Sequence, residues 1–196
     1  MPSSAVLYDA ESAAWLRFGN LVEEIEVLAL DQVLPAIDAL DKYVEKEGLY
    51  AAGFISYEAA AAFDDALQTR GGADFPLLQF GLFASLETIE LPAPAKTLER
   101  LNWQTGEDAW EFAAKVEKIR AAIARGETYQ VNLTFPLSAT FAGDPWQLFL
   151  QLVQGQDAGG SGFLQSDRWA VCSVSPELFF SRHGNRLTMR PMKGTM

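Results

Sequence analysis

Three short stretches of the chain carry residue types whose spacing could do chemistry. The segment MRPMKGTM, residues 189–196, sets Lys193 between Met192 and Gly194. An ammonium stripped of water gives up its proton more readily, and the neutral amine is then a nucleophile for an electrophilic carbon. The same lysine also reads as the solvated charge of an ordinary turn, because lysine is rarely buried. In Ser175-Pro176-Glu177 a carboxylate opens the very apolar run ELFF. Buried there, Glu177 would hold its proton toward neutral pH and act as a general acid; on a sheet edge it is a solvated strand end. The third stretch is TYQVNLT, residues 128–134, where alternation puts Gln130, Asn132 and Thr134 on one strand face. That face meets a polar ligand if the strand is covered on both sides, and water if it is half-exposed.

Glu177 and Lys193 fall on consecutive extended runs joined by the His183-Gly184-Asn185 turn. An antiparallel hairpin brings both to one end of the sheet. An ion pair between them would lower the carboxyl pKa and raise that of the amine, the reverse of what an acid and a nucleophile need. The neutral pair holds the same number of protons, so one proton transfer interconverts the two states and they titrate together. His183 is the single histidine and Cys172 the single cysteine, which leaves too few ligands for a zinc-type centre and no intrachain disulfide.

The elements that must hold these residues can be read from periodicity. AVLYDA, AAWLRF and EEIEVLAL are strand-like, and Leu34, Ile37, Leu40 and Val44 then repeat at helical spacing, with Pro35 in the first turn and Gly48 as the stop. Gly53 within LYAAGFISYEAAAAF marks a buried strand closely approached by another segment. PLLQFGLFASLETIEL is long enough for one bent strand or a pair. PAPAK, residues 92–96, is the best linker. Beyond it a helix is expected from about Glu107 to Arg125, capped by Thr105, with Phe112, Val116, Ile119 and Ile123 as its apolar stripe. TYQVNLTFPLSATF reads as a strand, DPWQLFLQLVQGQ as a helix capped by Asp144 with Pro145 first, and GFLQS, RWAVCSVS, ELFFSRH and RLTMRPM as an antiparallel meander. The expected class is α+β.

Composition narrows the partners. The chain has 196 residues, 49% of them hydrophobic, as an ordinary globular protein does. A formal net charge of −11 argues against nucleic acid and against anionic membrane surfaces. No apolar run approaches the roughly 20 residues of a spanning helix, and the N-terminus lacks the pattern of a signal peptide. A soluble protein of the reducing cytoplasm is expected.

The pieces YAAGFISYEAA, ARGETYQVNLT, DPWQLFLQL, SPELFF and RPMKGT, in this order, resemble the chorismate-utilising enzymes, and within them the component I subunits of aminodeoxychorismate synthases. The resemblance implies an antiparallel β-sandwich with outer helices, here truncated, divided into an N-terminal α+β region over 1–96 and the first part of a chorismate-binding domain over 97–196. It implies an enzyme that converts chorismate and ammonia to 4-amino-4-deoxychorismate on the para-aminobenzoate branch of folate synthesis. In that scheme Lys193 attacks C2 of chorismate and Glu177 is general acid and base. Gln130, Gly194 and Thr195 fall at substrate-binding positions. Anthranilate synthases carry alanine where Lys193 stands. Relatives that add water have a lysine base where Gln130 stands, and a glutamine cannot deprotonate water.

The resemblance further implies a glutamine amidotransferase subunit as the source of ammonia. It also implies Mg²⁺ between the substrate carboxylate and enzyme glutamates, with the ligands in segments that would follow PMKGT. Two departures stand out. The resemblance reaches only the first half of a usual member, so this chain alone is expected to be inactive and prone to self-association. QDAGGSGFLQ replaces an Asn-Pro-x-Pro motif, so tryptophan binding is not expected. A non-catalytic module that binds the amidotransferase, and an anthranilate synthase component I, are the alternatives.

Overall fold

The computed structural model describes residues 4–70, 75–95, 100–155 and 159–190. By its internal contacts the chain divides into two compact units, residues 1–96 with 144–196, and residues 97–143.

The first unit is built on a six-stranded antiparallel sheet. Its strands are β1 (Ser4–Asp9), β2 (Ala14–Val27), β3 (Tyr50–Ile55), β4 (Leu78–Ile89), β7 (Gly160–Gln165) and β8 (Ala170–Ser175). They lie in the order β3-β4-β2-β1-β7-β8. The runs AAWLRF and EEIEVLAL are thus one strand rather than two. Asn20, at φ 57°, and a bulge between Leu21 and Glu23 bend β2 midway without ending its pairing with β4. PLLQFGLFASLETIEL resolves in the same way into the single strand β4.

Gly53 has the close neighbour its setting predicts. Across the β3–β4 ladder, a Cβ on Gly53 would stand 2.0 Å from the Gln79 carbonyl oxygen, so only glycine fits that crossing.

Helices cover one face of the sheet. α1 (Val33–Glu47) sets Val33, Ala36 and Leu40 against Val27, Leu78 and Leu82, and it ends at Gly48 in the left-handed conformation. α3 (Pro145–Gln154) opens with the Asp144 carboxylate accepting from the Trp146 amide at 3.0 Å, and it packs Phe149 on Val6 and Phe163. Alternation along the strands sends Ala5, Ala52, Phe83 and Leu164 to the other face, where they form a separate core. The sheet curls over that core. Trp169, in the β7–β8 connection, meets Phe54 of β3 edge-on at 5.0 Å, and its indole N–H donates to the Gln79 side chain of β4 at 3.0 Å. Opposite ends of the strand order are thereby joined.

A separate hairpin follows, β9 (Leu178–His183) and β10 (Arg186–Arg190), turned through Gly184 at φ 54°. It pairs with itself and does not extend the six-stranded sheet, which corrects the single continuous meander expected from spacing.

The second unit holds α2 (Ala109–Ala124) and a two-residue pairing of β5 (Gln104–Thr105) with β6 (Leu137–Ser138). The helix cap is Asp108, not Thr105. Its carboxylate accepts from the amides of Trp110 at 2.8 Å and Glu111 at 2.9 Å, and the Glu111 carboxylate accepts from the Asp108 amide in return. Thr105 serves the preceding turn, where its hydroxyl accepts from the Glu107 amide. Residues 128–136, read from alternation as a strand, form no strand. Alternation fixes which side chains share a face, but a strand also needs a backbone partner, and Pro136 offers no N–H for one. Among the described residues no helix is long and apolar enough to cross a membrane.

Candidate functional site

Glu177 lies in the two-residue link between β8 and β9. Its amide donates to the Ser175 hydroxyl at 3.2 Å, and that hydroxyl donates to the Glu177 carbonyl at 3.1 Å, which fixes the backbone of the Ser-Pro-Glu turn. β7 passes close by: a Cβ on Gly160 would stand 2.8 Å from the Ser175 carbonyl oxygen and 3.2 Å from that of Glu177. The Glu177 side chain is exposed rather than buried among the described residues.

Hairpin register sets Arg186 opposite His183 and Arg190 opposite Leu178, so β10 ends beside the start of β9. Lys193, Gly194 and Thr195, which follow β10, lie outside the described residues. Gln130 belongs to the second unit, where it is exposed in the irregular stretch after α2. Glu177 and Gln130 therefore sit in different units.

The hairpin closes one side of a cleft of about 480 Å³, within the range of small-molecule sites. The other walls come from Tyr8 to Glu11, at the end of β1, and from Gly159 and Gly160. On the hairpin side the lining residues are Leu178, Ser181 and His183 from β9, with Arg186, Thr188 and Arg190 from β10. Strict alternation would put Leu178 and Ser181 on opposite faces. A bulge adds one residue to β9 where Thr188 gives way to Arg190, and this parity change turns both toward the cleft. It also leaves Phe179 and Phe180 together in solvent, their rings in edge contact at 5.2 Å.

The acidic side of the cleft is internally satisfied. The Asp9 carboxylate accepts from the Ser12 hydroxyl at 2.6 Å and from the amides of Glu11 and Ser12. The Ser12 bond, aided by those amides and by nearby His183 against partial burial, holds the Asp9 carboxyl below its usual range. Glu11 faces His183 at 2.6 Å, both exposed. Among the described residues neither Arg186 nor Arg190 makes an ion pair. The signal for this cleft was present in RLTMR, where Arg186, Thr188 and Arg190 fall at the even spacing of one strand face. Its counterpart in Tyr8-Asp9-Ala10-Glu11 is distant in sequence and comes into view only when β1 pairs with β7.

Cys172 packs under α3, with its thiol toward the Pro145 carbonyl at 3.5 Å, and burial pushes its pKa up to about 11. It is a packing residue rather than a nucleophile. Among the described residues no three His, Cys, Asp or Glu side chains converge as a metal site would require. They do not assemble the oxygen cluster that Mg²⁺ needs.

Compared with known proteins, the chain matches the chorismate binding enzyme family over residues 4–196. It is 37% identical over 95 residues to aminodeoxychorismate synthase component 1 of Escherichia coli (strain K12), a match covering 48% of this chain and 21% of the relative. The corresponding protein of Klebsiella aerogenes is 36% identical over 113 residues, 58% of this chain and 25% of that one. Anthranilate synthase component 1 of Lactococcus lactis is 28% identical over 154 residues, 72% of this chain and 34% of the relative. The chain thus spans about a fifth to a third of the length of these relatives.

Proposed function

The chain belongs to the chorismate binding enzyme family, and from that premise we propose that it serves the component I reaction of an aminodeoxychorismate synthase, replacing the C4 hydroxyl of chorismate by an amine. The observation that carries this reading is the 36–37% identity to relatives of that name, against 28% to an anthranilate synthase. Lys193 in PMKGT supports it, since the family resemblance gives anthranilate synthases an alanine at this position.

In this reading the Lys193 amine bonds to C2 of chorismate as the C4 hydroxyl, protonated by Glu177, leaves as water; ammonia then bonds to C4 as the C2–N bond to Lys193 breaks and the free amine returns. Gly194 and Thr195 hold substrate beside them. Gln130 stands where a water-adding relative needs a base; ammonia carries its own lone pair and needs none. A glutamine amidotransferase partner, Mg²⁺, a sandwich architecture and a cytoplasmic location complete the proposal. The ligands for Mg²⁺ would have to come from outside the described residues.

Anthranilate formation is the second reading, favoured by one observation: an anthranilate synthase relative from Haloarcula marismortui aligns over 93% of this chain, at 24% identity. The two readings differ in product. Protein made from the whole reading frame is incubated with chorismate, an ammonium salt and Mg²⁺, beside Lys193→Ala, and the products are separated by mass and absorbance. Aminodeoxychorismate from the native protein, lost or diverted to anthranilate in the variant, is the expected result. Anthranilate from the native protein, or a silent Lys193→Ala, overturns the proposal.

A further inference from the structure

The first unit holds a second cavity, of about 760 Å³, that the proposed function leaves unused. It opens between the short 3-10 helices Leu30–Gln32 and Tyr57–Ala62 and the residues that follow the second of them. Leu28, Leu30, Leu67 and Phe75 line it, yet each keeps between 39% and 61% of its surface exposed. Covering that much hydrocarbon releases the water held against it, which favours an apolar ligand. The walls are fixed in advance. Leu77 in the lining donates its amide to the Val27 carbonyl and accepts from the Ser56 amide, both at 2.8 Å. Phe75 stacks on Phe54 at 4.8 Å and meets Trp169 edge-on at 5.6 Å. The Thr69 hydroxyl donates to the Glu58 carbonyl at 3.0 Å and ties its own segment to the second 3-10 helix. A cavity so held needs little ordering when a ligand enters.

Two charges in the lining set what the cavity accepts. Arg70 makes no ion pair among the described residues, although the chain carries a net charge of −11. Its guanidinium offers a planar fork matched to a carboxylate. Glu58, half-buried and also without an ion pair among the described residues, would repel a second anionic group. The ligand therefore carries one negative charge on an apolar body. We propose that this cavity binds a monocarboxylate with a hydrocarbon chain, of the medium-chain fatty acid class. The chain lies on Leu28, Leu30, Leu67 and Phe75, and the carboxylate meets Arg70.

The test measures equilibrium binding of two probes, decanoate and decanol, each below its aggregation limit, to the native chain, to Arg70→Gln and to Leu67→Asp. Both substituted side chains are exposed, so the variants are expected to fold, and a thermal melt verifies this. Decanoate is expected to bind the native chain more tightly than decanol. Loss of the charge-assisted contact in Arg70→Gln weakens decanoate by about tenfold and leaves decanol unchanged. Leu67→Asp, which sets a charge in the apolar wall, weakens both probes. Decanoate binding that is undiminished in Arg70→Gln, or no tighter than that of decanol to the native chain, overturns the inference. Binding that is undiminished in Leu67→Asp places the ligand elsewhere and overturns it too, as does the absence of decanoate binding. Aminodeoxychorismate formation is read in a separate assay, so these outcomes leave the proposed function standing.

Discussion

At the scale of single residues, chemistry follows local hydrogen bonding more than residue type. The Asp9 carboxylate, in a tight turn of the first unit, accepts from the Ser12 hydroxyl and from the amides of Glu11 and Ser12. A carboxyl held below its usual range stabilises the fold above the pKa it has when unfolded, and that contribution is lost as pH falls through the folded value. Asp9→Ala is therefore expected to lower the melting temperature near neutral pH, with the gap closing as pH falls below the ordinary carboxylate range. Melts of both proteins across that range check this; a gap that stays constant to the acid end would mean that the charged turn contributes nothing. Glu177 was legible as a candidate from Ser-Pro-Glu, but its exposure was not, because exposure depends on what other segments cover the turn.

At the scale of elements, the helices were the most readable parts. Their spacing and stop signals are local, and the structure gives α1 its Gly48 end and α3 its Asp144 cap. The cap of α2 was misplaced by three residues, since Thr105 and Asp108 are both good cap types and only the reciprocal bond from Glu111 separates them. Asp108→Ala is expected to cost about 1 kcal/mol of helix stability, whereas Asp108→Asn keeps most of it. In hydrogen exchange the amides of Trp110 and Glu111 should lose protection first while the β2–β4 ladder is unchanged. Equal protection in the alanine variant would show that the box is not what holds the helix start. The stretch TYQVNLT marks where element reading fails: its pattern suits a strand, and no ladder partner within the second unit makes it one.

At the scale of the first unit, stability resides in three cores arranged on the two faces of one curled sheet. Phe149 is fully buried and touches the rings of Trp15, Trp146 and Phe163 within 5.7 Å. Phe149→Ala should cost about 3–5 kcal/mol, a large share of the stability of an ordinary domain. Phe179, 79% exposed on the hairpin, should tolerate the same truncation within about 0.5 kcal/mol. Denaturant titration of the two variants checks the contrast, and equal losses would place the hairpin face in contact with something that covers it in solution.

The sequence by itself determined the α+β class, the extent of α1 and α3, the need for glycine at position 53, and the motif series that marks a chorismate-binding enzyme. Each depends on short spacings or on residue types without substitutes, so a linear reading suffices. Tertiary structure decided that β2 and β4 are single long strands, that β7 and β8 return to pair beside β1, and that Trp169 closes the curl. It also decided that Arg186 and Arg190 face Tyr8 and Asp9 across one cleft. The pairing of β7 with β1, the Trp169 contacts and the cleft join segments from 90 to about 180 residues apart, and hydrogen-bond ladders and burial select them only once the chain is folded.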